Sequence, residues 1–185
     1  NYPEILTYEK VSRYSSLMPW HIRSQNSAIK KHIGQAKSIL DGTAHIGVDT
    51  LNLHSLFPRA DITSVEMNRD VCELLKRNVA KKNGKVICDD LLQFLGTDKG
   101  TYDLVYLDPP WGGVDYKEKK QMNLELSGVD IKDIIKKIKD KYKPNWIILK
   151  APLNYDYGSG VIKVSVKNES SRDNYTKVSY NLYFL

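Results

Sequence analysis

The chain has 185 residues, of which 41% are hydrophobic and 27% are charged, and its net charge is +6. This length and composition predict one globular domain and exclude a low-complexity or disordered protein. No apolar run approaches the roughly 20 residues of a membrane span, and no signal-peptide pattern opens the chain, so we expect no membrane association. Because the chain begins with Asn1 rather than Met, we expect it to be part of a longer protein.

The cysteine and histidine residues offer little chemistry. The two cysteines, Cys72 and Cys88, lie in apolar surroundings, which predicts free thiols in a reducing compartment inside a cell. The four histidines have no metal-ligand spacing to cysteines or acids, so no metal is expected. The positive charge suits a polyanionic partner such as RNA, although solvated lysine-rich helix faces would produce it equally well.

The first part of the chain is predicted to be an extension, residues 1–37, ahead of a core domain of residues 38–185. Residues 1–23 are rich in Tyr, Arg and Trp, and residues 24–37 show the apolar spacing of a helix.

Strands and helices then alternate along the core domain. The predicted strands are residues 38–40, 62–66, 86–88, 104–107 and 145–150. The predicted helices are residues 47–57, a segment capped by Asn68 and a segment from Ile131 to Tyr142. This alternation predicts a parallel sheet covered by helices on both faces.

The end of the chain has a different pattern. Residues 161–167 alternate apolar and polar side chains, residues 170–174 are turn-rich, and residues 178–185 are aromatic and β-branched. This pattern predicts a terminal antiparallel hairpin.

Residues 102–116 contain the most informative motif. The apolar strand of residues 104–107 is followed by Asp108, two prolines, Trp111 and two glycines. Proline fixes φ and lacks a backbone donor, so the loop is stiff and its carbonyls can accept hydrogen bonds. Such a site fits a planar ring with an exocyclic amine, which would donate to Asp108 and the Pro109 carbonyl while the ring stacks on Trp111. The predicted catalytic residues are therefore Asp108, Pro109 and Trp111.

The tetrapeptide resembles motif IV of the class I amino-methyltransferases, which methylate exocyclic nitrogens with S-adenosylmethionine. The longer stretch from Asp108 to Tyr116 is similar to the trimethylguanosine synthase family, which methylates N2 of 7-methylguanosine in RNA caps. The resemblance implies a Rossmann-like α/β fold with a mostly parallel seven-stranded sheet that ends in an antiparallel hairpin. It also implies an N-terminal helical segment that packs on the active site. The short, lysine-rich form is similar to versions carried by large DNA viruses.

Acidic residues at successive strand ends point to a cofactor site, because ligands of open α/β sheets bind beyond the carboxyl ends of the strands. The loop of residues 41–47 would lie against the methionine part of S-adenosylmethionine. Glu66, 19 residues after Gly47, would accept the ribose hydroxyls, and Asp90 or Asp89 would accept the adenine amine. The predicted cofactor-binding residues are Gln25, Asp41, Gly42, Thr43, Gly47, Glu66, Met67, Asp90, Leu91 and Asp108.

The substrate would meet aromatic and basic side chains. A cationic 7-methylguanine over the Trp111 indole gains about 2 kcal/mol once it is desolvated, and Tyr116 is a weaker wall residue. Lys150, at the end of the fifth strand, would face the cap triphosphate, together with cations of the extension (Lys10, Arg13 and Arg23). The predicted substrate-binding residues are Trp111, Tyr116, Lys150, Asn154 and Trp20.

The resemblance is incomplete at two places. The loop after the first strand has only Gly42 and Gly47, fewer glycines than the family usually shows. The family's Pro-Arg-Asn after the fifth strand is Pro152-Leu153-Asn154 here, so the arginine that would contact phosphate is absent, and Lys150 or an N-terminal cation would have to replace it.

Three functions remain open, and a monomeric cap guanine-N2 methyltransferase acting on capped RNA is favoured. Another amino-methyltransferase, acting on N6 of adenine or on guanine N2 of ribosomal RNA, is the enzymatic alternative. A non-catalytic cap- or RNA-binding module is the other alternative, suggested by the sparse glycine loop. The expected location is the cytoplasm, the nucleus or a viral factory.

Overall fold

Alternate residues of the central strands pack into two separate apolar clusters. The structure, a computed structural model, describes residues 19–166 and 179–185. Leu40, Val105 and Leu107 belong to one cluster, and Ile39, Leu104 and Tyr106 belong to the other. Because successive side chains of a strand point to opposite faces, the two clusters are the two covered faces of one sheet.

The described elements follow one another in the alternating order that the sequence predicts. The helices are α1 (Pro19–His32), α2 (Val48–Leu56), α3 (Arg69–Val79), α4 (Leu91–Thr97) and α5 (Ile131–Tyr142), with a short 3-10 helix at Val114–Glu118. The strands are β1 (Ser38–Asp41), β2 (Asp61–Val65), β3 (Gly84–Ile87), β4 (Leu104–Leu107), β5 (Glu125–Leu126), β6 (Val129–Asp130), β7 (Trp146–Pro152), β8 (Ile162–Val166) and β9 (Tyr180–Phe184). No helix within these described ranges is both long and apolar enough to cross a membrane.

The main sheet has seven strands in the order β3-β2-β1-β4-β7-β9-β8. The first five are parallel, and β9 is antiparallel to both of its neighbours. The predicted class I methyltransferase fold is confirmed. The last strand is not at the edge, however, because β9 lies between β7 and β8. The strand order reverses between β1 and β4, so the ends of these two strands define the topological switch point.

Several element boundaries differ from the predictions. Helix α1 begins five residues earlier than predicted, at Pro19, because proline is well tolerated in the first turn of a helix, and it ends before Gly34, a poor helix former. Helix α4 was not predicted, although Asp90 caps it by accepting a hydrogen bond from the backbone N–H of Leu92. Helix α3 is confirmed with its cap, since the Asn68 side chain accepts from two backbone amides. The predicted turn at residues 170–174 lies outside the described residues.

Gly84 is the first residue of β3. Its φ is +124°, and a Cβ atom there would lie 2.0 Å from the carbonyl oxygen of Ile62 on the neighbouring strand. Only glycine allows this approach between the two backbones, so the strand starts two residues before the predicted residue 86.

The prediction of free cysteines is wrong. Cys72 of α3 and Cys88, the residue after β3, form a disulfide across a Cα–Cα distance of 5.7 Å. Helix α3 packs against β3, and this packing brings two residues 16 apart in the chain within disulfide reach. The predicted location inside a cell therefore loses the support that free thiols would have given, and it stays a prediction.

Helix α1 shares its apolar surface with the sheet. Ala28, Ile29 and Ile33 belong to the same cluster as Tyr106 and Leu182 of the central strands. The described part of the extension therefore packs directly on the core. The proposed division at residue 37 stays a prediction, because residues 1–18 lie outside the described chain.

Candidate active site

The loop after β1 and the motif loop after β4 are tied together at the switch point. The Gly42 backbone N–H donates to the carbonyl oxygen of Tyr106 at 3.0 Å. The Asp108 backbone N–H donates to the Thr43 hydroxyl at 2.6 Å. The residues predicted to bind cofactor and those predicted to bind substrate therefore meet at one point.

Asp41 stabilises the loop after β1 from within. Its carboxylate is fully buried and accepts a 2.6 Å hydrogen bond from the Thr50 hydroxyl and a 3.4 Å bond from the Thr43 backbone N–H. Burial raises the pKa of Asp41 to about 7 although the Thr50 hydrogen bond opposes it, and nearby Asp49 adds to the rise. Asp41 thus lies at the predicted site. In this structure its carboxylate stabilises the loop and is not exposed at a binding surface.

Steric constraints require glycine at both glycine positions of this loop. A Cβ atom on Gly42 would lie 2.8 Å from Cδ2 of Leu107 and 3.1 Å from Cδ2 of Leu91. Gly47 has a φ of +92° and precedes the first residue of α2, a conformation that glycine adopts without penalty. Two glycines are therefore sufficient for the close approaches of this loop. The small number of glycines does not by itself indicate a collapsed cofactor loop.

Glu66, just after β2, bridges two loops through backbone amides. Oε2 accepts from the His45 N–H at 3.0 Å, and Oε1 accepts from the Asn68 N–H at 2.7 Å. Each carboxylate oxygen has two lone pairs, so each can accept one further hydrogen bond. Met67, beside it, is 62% exposed. The carboxylate is thus oriented and still able to accept from a pair of neighbouring hydroxyls.

Asp90, after β3, also uses both oxygens within the protein. One oxygen accepts the Leu92 N–H at 2.7 Å, and the other accepts a short hydrogen bond from the Ser127 hydroxyl. Leu91 is buried against the loop after β1. These two residues lie on the expected side of the site, and a contact between Asp90 and an adenine amine stays a prediction.

Asp108 forms an ion pair with a buried lysine, which the motif did not predict. Lys150, near the end of β7, has a side chain only 3% exposed, and its Nζ lies 2.6 Å from Oδ2 of Asp108 and 3.2 Å from Oδ2 of Asp49. Burial raises the pKa of Asp108 to about 6, while the charge of Lys150 opposes the rise. Burial lowers the pKa of Lys150, but the two carboxylates outweigh it and hold that pKa well above its ordinary value.

This placement does not match the prediction that Lys150 faces the cap triphosphate. A solvent-facing cation would be needed at that position, whereas the ammonium is committed to two carboxylates beneath the motif loop. Arg23 is exposed, while Lys10 and Arg13 lie outside the described residues.

Helix α1 reaches the ion pair through Gln25. Its Nε2 donates to Oδ1 of Asp49 at 2.8 Å, and its Oε1 accepts from the Tyr180 hydroxyl at 2.8 Å. The Tyr180 ring lies under the Lys150 ammonium, with 5.2 Å between the nitrogen and the ring centroid. Gln25 thus lies at the site, where its side chain bonds to Asp49 and Tyr180, and its contact with the cofactor stays a prediction. Trp20 lies in α1, and its side chain is outside the described part.

Trp111 and Tyr116 form an aromatic corner beside Asp108. Their ring centroids are 5.2 Å apart in an edge-to-face arrangement, and Trp111 also lies 6.4 Å from Tyr180. Trp111 is half-buried and contacts both apolar clusters. Its indole N–H is near the Asp108 carboxylate, but it makes no hydrogen bond of normal geometry. The ring is therefore anchored without being fully covered.

Asn154 supports this corner from behind. Its Nδ2 donates to the carbonyl oxygens of Tyr116 and Lys119, at 2.8 Å and 2.7 Å. Asn154 was predicted to contact substrate, and here it holds the loop that carries Tyr116.

Asp49, Thr50 and Tyr180 belong to the site but were not predicted. Asp49 and Thr50 lie in the first turn of α2, and Tyr180 lies in a strand 139 residues after Asp41 in the sequence. The sequence shows these residues only as a helix start and an aromatic run, so no local pattern pointed to them. Among the described residues, no group of three or more metal-ligand side chains is arranged to share an ion.

Comparisons with known proteins agree with this architecture. The sequence pattern of one family, described as RNA cap guanine-N2 methyltransferase, matches residues 36–183. A relative from Acanthamoeba polyphaga mimivirus, named uncharacterized protein L320, is 27% identical over 142 residues, which are 75% of this chain and 53% of that protein. The chain thus spans about half the length of this curated relative.

Solved structures show the same fold. A hypothetical protein of Thermus thermophilus superposes with a TM-score of 0.65 at 14% identity, covering 98% of this chain and 92% of that chain. An S-adenosylmethionine-dependent methyltransferase from Agrobacterium tumefaciens superposes with a TM-score of 0.58 at 16% identity, covering 91% of this chain and 62% of that one. At these identities the likeness concerns the fold alone.

Proposed function

Because the chain belongs to the RNA cap guanine-N2 methyltransferase family, we propose that it transfers a methyl group from S-adenosylmethionine to N2 of 7-methylguanosine at an RNA 5′ end. The observation that carries the proposal is the position of Asp108. Asp108 lies at the switch point, where its backbone amide bonds to the loop after β1. Its carboxylate lies beside the half-buried ring of Trp111.

The residues at the strand ends fit an adenosyl cofactor. Glu66 keeps lone pairs for two ribose hydroxyls, and exposed Met67 offers an apolar surface beside it. The backbone of residues 42–47 would hold the methionine part of the molecule, and Leu91 would line the adenine side. When bound, S-adenosylmethionine supplies an electrophilic methyl group on its sulfonium.

Asp108 and Pro109 would orient the nucleophile. Guanine N2 is a weak nucleophile because its lone pair is delocalised into the ring. If Asp108 and the Pro109 carbonyl accept its two hydrogens, the lone pair is directed away from them and becomes more available. The carboxylate also stabilises the positive charge that develops on the nitrogen. The proton can then leave to water, so no histidine base is needed.

Trp111 and Tyr116 would select the methylated base. A 7-methylguanine ring is cationic, and a cation over an indole is favoured by about 2 kcal/mol over a neutral ring when the site is desolvated. The edge-to-face contact with Tyr116 fixes the Trp111 plane. The family relationship supports capped RNA as the substrate, and we further propose a monomer that acts inside the cell.

The test is methyl transfer from labelled S-adenosylmethionine to 7-methyl-GTP, GTP and an adenine-containing oligonucleotide. We expect transfer to 7-methyl-GTP, at least tenfold slower transfer to GTP, and none to the oligonucleotide. Asp108→Ala should abolish transfer. Trp111→Ala should remove the preference for 7-methyl-GTP, while Trp111→Phe should retain part of it.

Cofactor binding is measured separately, so that a failure of catalysis can be located. S-adenosylhomocysteine should bind the wild type at least tenfold more tightly than Glu66→Ala, because the carboxylate contributes hydrogen bonds to two hydroxyls. Transfer to the oligonucleotide instead would indicate an adenine enzyme. Tight binding of 7-methyl-GTP with no transfer to any acceptor would indicate a cap-binding module.

A further inference from the structure

The methyl-transfer steps described above do not explain the buried cation under the motif loop. Lys150 is 3% exposed, and its ammonium contacts Asp108 and Asp49. Burying a charged amine costs several kcal/mol unless it is paired. A lysine placed at this depth against the reacting carboxylate therefore requires an explanation.

The two oxygens of Asp108 have different surroundings. Oδ2 accepts the 2.6 Å bond from Lys150, whereas none of the described residues donates a hydrogen bond of normal geometry to Oδ1. Asp49 is held differently, because Gln25 occupies its Oδ1 and Lys150 its Oδ2. Of these two carboxylates, only Asp108 has an oxygen to which no described residue donates, so its Oδ1 is the less occupied acceptor for an N–H of a bound base.

We propose that Lys150 is a positioning residue that occupies Oδ2 of Asp108, keeps Asp108 ionised and leaves Oδ1 as the oxygen that accepts the amine of the substrate. The identity of that amine rests on the function proposed above. The assignment of the ion pair itself rests on the geometry of the protein alone.

The charges around Asp108 explain why a cation is needed. Asp108 at the end of β4 faces Lys150 of β7 and Asp49 of α2, with the Trp111 indole beside it. The ammonium in turn lies over Tyr180 of β9 and is the shared partner of both carboxylates. Both carboxylates are partly buried. Two neighbouring carboxylates repel each other, and one of them takes up a proton more readily when no cation is present.

The remaining titratable groups near this cluster do not replace Lys150. Asp41 of β1 and the buried Tyr106 of β4 interact electrostatically with Asp108, but neither can carry a positive charge. Gln25 of α1 is neutral. Loss of the ammonium would therefore protonate Asp108 at neutral pH. A protonated carboxyl is a poorer acceptor and carries no charge to stabilise the reacting nitrogen.

The test follows the Asp108 carboxyl directly, by ¹³C NMR of the ligand-free protein with labelled aspartate, the resonance being assigned with Asp108→Asn. In Lys150→Met, the titration midpoint of Asp108 should rise by at least one pH unit. In Asp49→Asn, which removes a negative charge and keeps the side-chain shape, the midpoint should fall. Opposite shifts are not expected from a structural role, which would leave the midpoint unchanged or move it in the same direction in both variants.

Methyl transfer gives the second readout. In Lys150→Met, the acid limb of kcat/KM should move to higher pH, so that a loss of about threefold or more at pH 6.5 narrows at pH 9. A loss of equal size at all pH values would overturn the role in charge. If Lys150→Met does not fold, the same titration is made on Lys150→Gln, which also removes the charge but keeps a hydrogen-bond donor, and an unchanged Asp108 midpoint in that variant would overturn the role.

The two proposals fail in different ways. The proposed function would be overturned if the wild type transferred no methyl group to 7-methyl-GTP. The ion-pair role would still stand if the Asp108 midpoint rose in Lys150→Met and fell in Asp49→Asn. Wild-type protein that transfers the methyl group, with an Asp108 midpoint that neither substitution moves, would overturn the role of Lys150.

Discussion

The backbone amide of Asp108 and the hydroxyl of Thr43 form a 2.6 Å hydrogen bond that joins the loops after β4 and β1. These loops come from neighbouring parallel strands but are 65 residues apart in the chain. The contact therefore sets the distance between the residues proposed to hold the substrate amine and those proposed to hold the cofactor.

Thr43→Val should weaken both stability and catalysis. Valine keeps the shape but leaves the Asp108 N–H without its acceptor, and an unpaired amide costs about 1–3 kcal/mol. Urea unfolding should show this loss, and kcat should fall more than the affinity for S-adenosylhomocysteine changes. Thr43→Ser keeps the hydroxyl and is the matched control. Equal behaviour of the Val and Ser variants would contradict the role of this hydrogen bond.

Asn154→Leu should impair binding of the cap more than binding of the cofactor. The substitution removes two hydrogen bonds that hold the backbone at Tyr116 and Lys119. We expect the KM for 7-methyl-GTP to rise about tenfold, equivalent to about 1.4 kcal/mol, with little change in the Kd for S-adenosylhomocysteine. Neighbouring Leu153 is 47% exposed, and Leu153→Ala should leave both constants unchanged. An effect of similar size on the cofactor would place Asn154 elsewhere in the mechanism.

Asp41→Asn should change how stability depends on pH. Burial raises the pKa of Asp41 from 3.8 to about 7 in the folded protein, so the folded state holds a proton that the unfolded state has already lost. The free energy of unfolding of the wild type therefore falls, relative to Asp41→Asn, as the pH rises from about 4 to 7, and the difference is constant above that range. Urea unfolding of both proteins across this range measures it. Asp140→Asn, at an exposed acid of α5, is the control, and parallel curves for wild type and Asp41→Asn would refute the prediction.

Reduction of the Cys72–Cys88 disulfide should destabilise the fold. A cross-link between residues 16 apart restricts the unfolded chain by an amount equivalent to about 3 kcal/mol. Urea unfolding with and without reductant should differ by about this amount. A variant with both cysteines changed to serine should match the reduced protein and no longer respond to reductant. Two titratable thiols in the native, unreduced protein would show that the bond does not form.

Local sequence determined much of the fold and the position of the site. The spacing of Ile131, Ile134, Ile135 and Ile138 predicts α5 because an amphipathic helix must bury one face, and all four are buried. The Asn68 cap depends on residues two and three positions away. Asp41, Glu66 and Asp108 follow apolar strands, and the parallel order of those strands brings their ends to one edge.

The tertiary structure alone decided which side chains pair with one another. Lys150 looked like a solvent-facing cation because its position near a strand end does not show which neighbours lie beneath it. Asp49 of α2, Asp108 of β4 and Lys150 meet only once the sheet is assembled. The same reason applies to the cysteines, whose distance depends on the packing of α3 against β3. Hydrophobic periodicity specifies which face of an element is buried, but contacts between distant residues depend on the order and register of the strands.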